Sequence, residues 1–217
     1  MVALRVPQPD PFLDWGVAVA PRQGERECGD VHLVCDVGDG VLAAVIDGLG
    51  HGEEAAAAAR RARDTLVRYR EQSAISLVRQ CHQALAETRG VVMGVAAFSA
   101  ADNTMTWVGI GNVEGFLLRA DRRVAPRRED MLVRSGVVGL QLPHLHASVI
   151  TLDHGDLVVF TTDGVRPEFK QRIGLLTALP PQRLADDILR EYHKPVDDAL
   201  VLVGRLSVSR REGGAAG

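Results

Sequence analysis

The sequence predicts an α+β fold: a four-layer α-β-β-α sandwich of two antiparallel sheets flanked by helices. Three observations point there. Strand-like runs come first, two helix-like stretches follow, and many short strands, one helix and a last strand complete the order. Helices therefore do not alternate with strands, as a doubly wound parallel sheet requires. The chain has 217 residues, 46% hydrophobic and 24% charged, which suits one folded domain with a sizeable core. Residues 1–206 read as that domain and 207–217 as a frayed tail.

Residues 12–20 (FLDWGVAVA) and 31–37 (VHLVCDV) have strand composition. Gly38-Asp39-Gly40 marks a turn, and 41–47 (VLAAVID) returns as a strand ending on Asp47. The pattern then changes. Residues 52–71 are rich in helix formers, with two glutamates in the first turn, where they favour the helix dipole. Ser73 is a capping residue for a second helix running to about Thr88, with Ile75, Val78, Cys81 or His82, and Leu85 spaced for one apolar face. Strands follow at 91–99, 104–110, 113–119, 147–152 and 157–162. Pro180-Pro181 opens a helix over 182–192, and 199–206 (ALVLVGRL) is the last strand. Trp15 and Trp107 read as core residues.

Composition narrows the function classes. A net charge of −3 gives no basic field for nucleic acid. No apolar run reaches the roughly 20 residues of a membrane helix. The start, MVALRVPQPDP, lacks the basic-then-apolar pattern of a signal peptide. Cys28, Cys35 and Cys81 are odd in number and lack CxxC spacing, so they read as reduced thiols and not zinc ligands. The expectation is a cytoplasmic protein that binds neither nucleic acid nor membrane.

Four acidic spots share a local grammar: Gly29-Asp30, Asp47-Gly48 within IDGLGHG, Asp163-Gly164 within FTTDGV, and Asp197-Asp198 within VDDALVLV. Each aspartate lies at a strand edge, and Asp47 and Asp163 each follow an apolar strand and precede glycine. Any one Asp-Gly alone is ordinarily a turn, and Asp39-Gly40 is read that way. Carboxylates gathered from distant segments repel one another unless cations compensate them. Oxygen-only ligands favour hard ions such as Mg2+ or Mn2+.

The ordered set Gly-Asp, Asp-Gly-Leu-Gly-His-Gly, Thr-Asp-Gly-Val and Asp-Asp-Ala-Leu-Val-Leu-Val resembles the metal-dependent protein phosphatases, the PPM or type 2C group. Within it the likeness is to the SpoIIE/RsbU/RsbX branch, over about residues 12–206, and the stretch RGVVMGVAAF at 89–98 adds to it. The resemblance implies a serine/threonine phosphatase with two divalent ions, Mn2+ or Mg2+. It makes Asp47 the bridge between both ions and the Gly48 carbonyl a ligand of the second. Asp163 and Asp197 match ligands of the first ion, and Asp30 the acidic residue that contacts metal-bound water or the second ion. Asp198, Gly164 and Asn112 stand as supporting residues. The leaving group takes its proton from His51 or from metal-bound water, and His51 otherwise reads as a plain residue at a helix start.

The chain departs from the family pattern at four places. Glu25 stands where larger members carry a phosphate-binding Arg, which leaves the phosphate mainly to the metals. Leu49 stands where a histidine is usual, so His51 is the nearest one. The block that can serve a third metal reads Gly111-Asn112-Val113, and Pro167 occupies an often acidic position. The stressosome-phosphatase end of the branch implies phosphorylated STAS-domain stressosome proteins as partners. An anti-anti-sigma factor as substrate, or an inactive phosphatase-like binding module, are the alternatives. An ATP-binding anti-sigma kinase is excluded, because Leu49 stands where its Asp-x-Gly-x-Gly box needs glycine, and no Walker lysine follows.

Overall fold

A computed structural model describes residues 12–175 and 177–207. The segment read for a signal peptide and the tail from 208 onward lie outside the described residues.

The elements are β1 (Leu13–Ala20), β2 (Asp30–Val37), β3 (Gly40–Gly48), α1 (Glu53–Arg68), α2 (Ala74–Ala84), β4 (Val91–Ser99), β5 (Thr104–Ile110), β6 (Glu114–Leu118), β7 (Arg128–Asp130), β8 (Val133–Arg134), β9 (Ser148–Thr151), β10 (Leu157–Thr161), α3 (Phe169–Arg172), α4 (Pro181–Tyr192) and β11 (Ala199–Leu206). One sheet has the order β1-β11-β10-β6-β7; the other has β2-β3-β4-β5-β8, with β9 also on β5. The α-β-β-α layering agrees with the expectation. One pairing corrects it: β8 runs parallel to β5, Gly109 opposite Val133, so the second sheet is mixed.

The central strands are apolar at nearly every position because both of their faces are covered. In β3, Val41, Ala43 and Val45 point between the sheets, where Leu200, Leu202, Val158 and Phe160 of the other sheet meet them. The alternate residues Leu42, Ala44 and Ile46 pack under α1 and α2. Ala199, Val201 and Val203 of β11 face the opposite way, onto α4. This is period-two alternation between two buried environments.

Helix α1 lies close to its sheet because its inner face is alanine: Ala55, Ala58, Ala59 and Ala62 are at most 1% exposed. A side chain on Gly48 would come within 2.1 Å of the Ala55 carbonyl oxygen, so glycine there allows the contact. Ser73 caps α2 as expected, its Oγ accepting from Ser76 N at 3.3 Å. The helix stops at Ala84 instead of about Thr88. The Thr88 hydroxyl donates to Leu85 O at 2.8 Å and accepts from Gly90 N at 3.0 Å, building a turn in place of another helical one. Likewise α1 ends at Arg68, since Tyr69 has left helical geometry at φ −112°.

Trp107 is core as expected. It stacks on Phe160 with ring centroids 5.1 Å apart, and its Nε1 donates to Leu132 O at 2.9 Å. Trp15 is only half-buried, at the margin of the core beside His32. Among the described residues no helix is long and apolar enough to cross a membrane.

Candidate metal centre

The acidic residues converge at one end of the sandwich because strand ends from both sheets meet there. Asp30 opens β2 and Asp47 nearly closes β3, and antiparallel pairing sets them directly opposite each other. Asp163 follows β10 and Asp197-Asp198 precede β11, neighbouring strands of the other sheet. Thr162 ties the two sheets together. Its hydroxyl donates to Asp30 Oδ2 at 2.7 Å and accepts from Leu200 N at 2.9 Å.

The carboxylates differ in their hydrogen bonds. Asp198 is 3% exposed and fully engaged: Oδ1 accepts from Arg22 N at 2.8 Å and Oδ2 from Gly29 N at 2.9 Å. It clamps both ends of the loop before β2. Gly29 O in turn accepts from Gly48 N at 3.1 Å, which fastens that loop to the end of β3. Gly164 packs so tightly that a side chain there would lie 1.8 Å from Asp198 O. Asp163 Oδ2 accepts from Asn112 Nδ2 at 2.6 Å. Asp197 Oδ1 accepts from Asp198 N at 3.0 Å. Asp47, largely buried, has no side-chain hydrogen bond among the described residues.

Electrostatics mark the cluster as one unit. Burial first, then the charges of Asp30, Asp163, Asp197 and Asp198, hold the Asp47 carboxyl well above the ordinary carboxylate range. Asp30 is raised too, by burial, with the Thr162 hydrogen bond pulling it down and Asp198, Asp163 and Asp197 pushing it up. Asp197 rises through burial and then Asp163, while Lys194 pulls the other way. Burial and the Asp30 charge push the Cys28 thiol up to about 12, so it stays protonated and is a poor nucleophile and soft ligand at neutral pH.

Hard divalent cations fit this donor set. All five side chains offer carboxylate oxygen, and a bound cation offsets both the burial and the mutual repulsion that raise Asp30 and Asp47. Among the described residues no three His, Cys, Asp or Glu side chains close into a ready-made cage. The carboxylates would therefore share ions with water and backbone oxygen, as Mg2+ readily accepts.

The structure brings Asp30, Asp47, Asp163, Asp197 and Asp198 together, with Gly48, Gly164 and Asn112 packed or bonded among them. His51 is placed differently. Its Nδ1 lies 2.9 Å from Glu25 Oε1, with half of its side chain exposed, and among the described residues it bonds to no aspartate. Two residues of the site escape sequence reasoning. Thr162 stands directly before Asp163, but its role depends on Asp30, 132 positions away. Lys194 donates from Nζ to Asp163 O at 2.5 Å; its signal was its rarity, as one of two lysines.

A family model described as Stage II sporulation protein E (SpoIIE) matches residues 38–207. The phosphoserine phosphatase RsbX of Bacillus subtilis (strain 168) is 23% identical over 189 residues, covering 86% of this chain and 91% of that protein. A crystal structure of RsbX in complex with magnesium superposes with a TM-score of 0.81 at 21% identity, covering 92% of this chain and 98% of that one. A chain from a structural study of the bacterial stressosome, a modular system adapted to control secondary messenger signaling, gives 0.82 at 29% identity, over 89% and 99% of the two chains.

Proposed function

This chain belongs to the SpoIIE family, and on that premise we propose how its acidic centre works. The protein is a metal-dependent serine/threonine phosphatase. We assign its substrates to phosphorylated STAS-domain stressosome proteins in the cytoplasm, and its cofactors to two ions of Mn2+ or Mg2+. Asp30, Asp47, Asp163 and Asp197, with the Gly48 carbonyl, would hold them. One observation carries the reading: aspartates from four segments meet at the joined ends of both sheets, where burial and the neighbouring carboxylates raise Asp30 and Asp47, with no donor on Asp47 among the described residues.

Bound cations supply the positive charge that phosphate-ester hydrolysis needs and lower the pKa of the attacking water. The chain's own residues set the stage for them. Asp47 faces Asp30 across the β2–β3 ladder, so both carboxylates are presented from the paired ends of two strands. Thr162 orients Asp30, and Asp198 holds the loop that carries Glu25. Glu25 fixes the His51 ring through Nδ1, which leaves Nε2 to give or take a proton. No acidic side chain needs to form a covalent bond, and the protonated Cys28 agrees with that.

Substrate choice must come from protein surface around the centre, since a metal pair reads phosphate and little else. Contacts far from the phosphate lower the barrier only when the substrate carries them. Turnover should be much higher on folded phosphorylated STAS-domain scaffold than on a phosphopeptide from it. Comparing kcat/KM on scaffold, a phosphorylated anti-anti-sigma factor and the peptide tests this. Equal efficiency on peptide and scaffold would defeat the docking argument. Preference for the anti-anti-sigma factor would reassign the substrate, and no hydrolysis of any of them with Mn2+ would leave a binding module.

A further inference from the structure

Of 25 basic residues only Lys170 and Lys194 are lysines, and both line one open groove of about 780 Å³ beside Asp163 and Asn112. Their surroundings differ. Lys170 is neutralised by Glu114, Nζ to Oε2 at 2.7 Å. Lys194 has no ion pair among the described residues, and its Nζ donates to the Asp163 backbone carbonyl. The backbone around it is pinned: Lys194 N donates to Gly164 O at 2.8 Å, and Asp197 N to Lys194 O at 3.1 Å. A fixed ammonium thus stands at the edge of the carboxylate cluster, with a neutral acceptor taking one of its three N–H donors.

A phosphoryl dianion entering this site meets aspartates. The position at which the resemblance expects a phosphate-binding Arg is Glu25, and Glu25 is bonded to His51. The cation missing there has a counterpart on the neighbouring loop, where Gln23 N donates to Pro195 O at 2.9 Å. We propose that Lys194 is the phosphate-binding cation of this centre, its remaining N–H donors contacting the phosphoryl oxygens of a substrate seated in the groove beside Asp163. This adds a protein cation to the expectation that the metal ions mainly hold the phosphate. It rests on the phosphatase reading above and adds the side chain that recognises the phosphate. An ammonium suits the place, because it can join one carbonyl and one phosphate oxygen, whereas a guanidinium fork favours two coplanar acceptors.

The test uses the full chain loaded with Mn2+ and inorganic phosphate as the probe. Amine-selective reductive methylation, read by mass spectrometry, should slow several-fold at Lys194 when phosphate saturates the site, with Lys170 unchanged as internal reference. Lys194→Gln should raise the phosphate inhibition constant and the KM for an aryl phosphate by about tenfold, the scale of one charge-assisted hydrogen bond, with kcat changed less. Its Mn2+ binding isotherm should match wild type, and Lys194→Arg should recover part of the phosphate affinity. Unprotected Lys194 in the wild type would overturn the proposal. So would an unchanged inhibition constant in the Gln variant, or lost Mn2+ binding, which would make Lys194 a brace for the metal loop. If the Gln variant does not fold, the methylation result decides alone. A wild type that binds phosphate at Lys194 yet never hydrolyses the aryl ester would uphold Lys194 and sink the phosphatase reading.

Discussion

Asp47 and Asp198 show how two carboxylates in one cluster can carry opposite costs. Asp198 gives both oxygens to backbone amides, those of Arg22 and Gly29. Asn in its place would turn an NH2 toward one of those amides. Asp198→Asn should lose about 1.5–3 kcal/mol of stability in urea unfolding, the range for hydrogen bonds to charged groups. Asp47 bonds to no side-chain or backbone donor among the described residues, and its charge is opposed by four neighbours. Asp47→Ala should therefore abolish Mn2+-dependent hydrolysis while leaving the metal-free Tm equal or higher. A lowered Tm with retained activity would refute the assignment of Asp47 as the bridging ligand. The two-ion proposal turns on Asn112, whose amide donates to Asp163 Oδ2 and offers a third ion no carboxylate. Calorimetric Mn2+ titration should give two sites, and Asn112→Asp should add a weaker third.

At the level of elements, the site depends on how closely α1 approaches the end of β3. The alanine face of α1 permits that approach and Gly48 completes it, with no room for a side chain beside the Ala55 carbonyl. Gly48→Ala should displace the helix start from the strand end and cost about 1–3 kcal/mol, as overpacking does. Activity should fall more steeply than stability, because Asp47 is the adjacent residue. Thermal unfolding and Mn2+-dependent turnover on the same preparation separate the two effects. Long elements such as β3, α1 and β11 were readable from composition and periodicity, with ends off by a few residues where turns such as that at Thr88 intervene. The short β7, β8 and α3 were not. Two to four residues carry no period, and β8 exists only because β5 offers an edge beside it.

The joining of two sheets at one acidic end should show in the stability of the whole molecule. Asp30 and Asp47 are raised in the folded state, mainly by burial. As pH climbs above the ordinary carboxylate value of 3.8, the unfolded chain releases these protons while the fold retains them. The unfolded state then binds fewer protons, so this pair's contribution to stability falls through that window toward neutrality. Metal-free protein in chelator should show this loss in Tm, Asp47→Ala should blunt it, and Mn2+ should reverse it at neutral pH by binding the folded state. A metal-free Tm that does not depend on Asp47 across this range would contradict the coupling. The sequence by itself determined the layered α+β plan, the strand-edge placement of each aspartate and the hard-ion chemistry they imply, because composition, turn signals and ligand type are local properties. Only the tertiary structure decided that Asp198 clamps a loop, that His51 pairs with Glu25, that Thr162 bridges the sheets and that Lys194 stands beside Asp163. Those contacts join residues up to 176 positions apart, and which partners meet depends on sheet order and strand register, which no local stretch of sequence encodes.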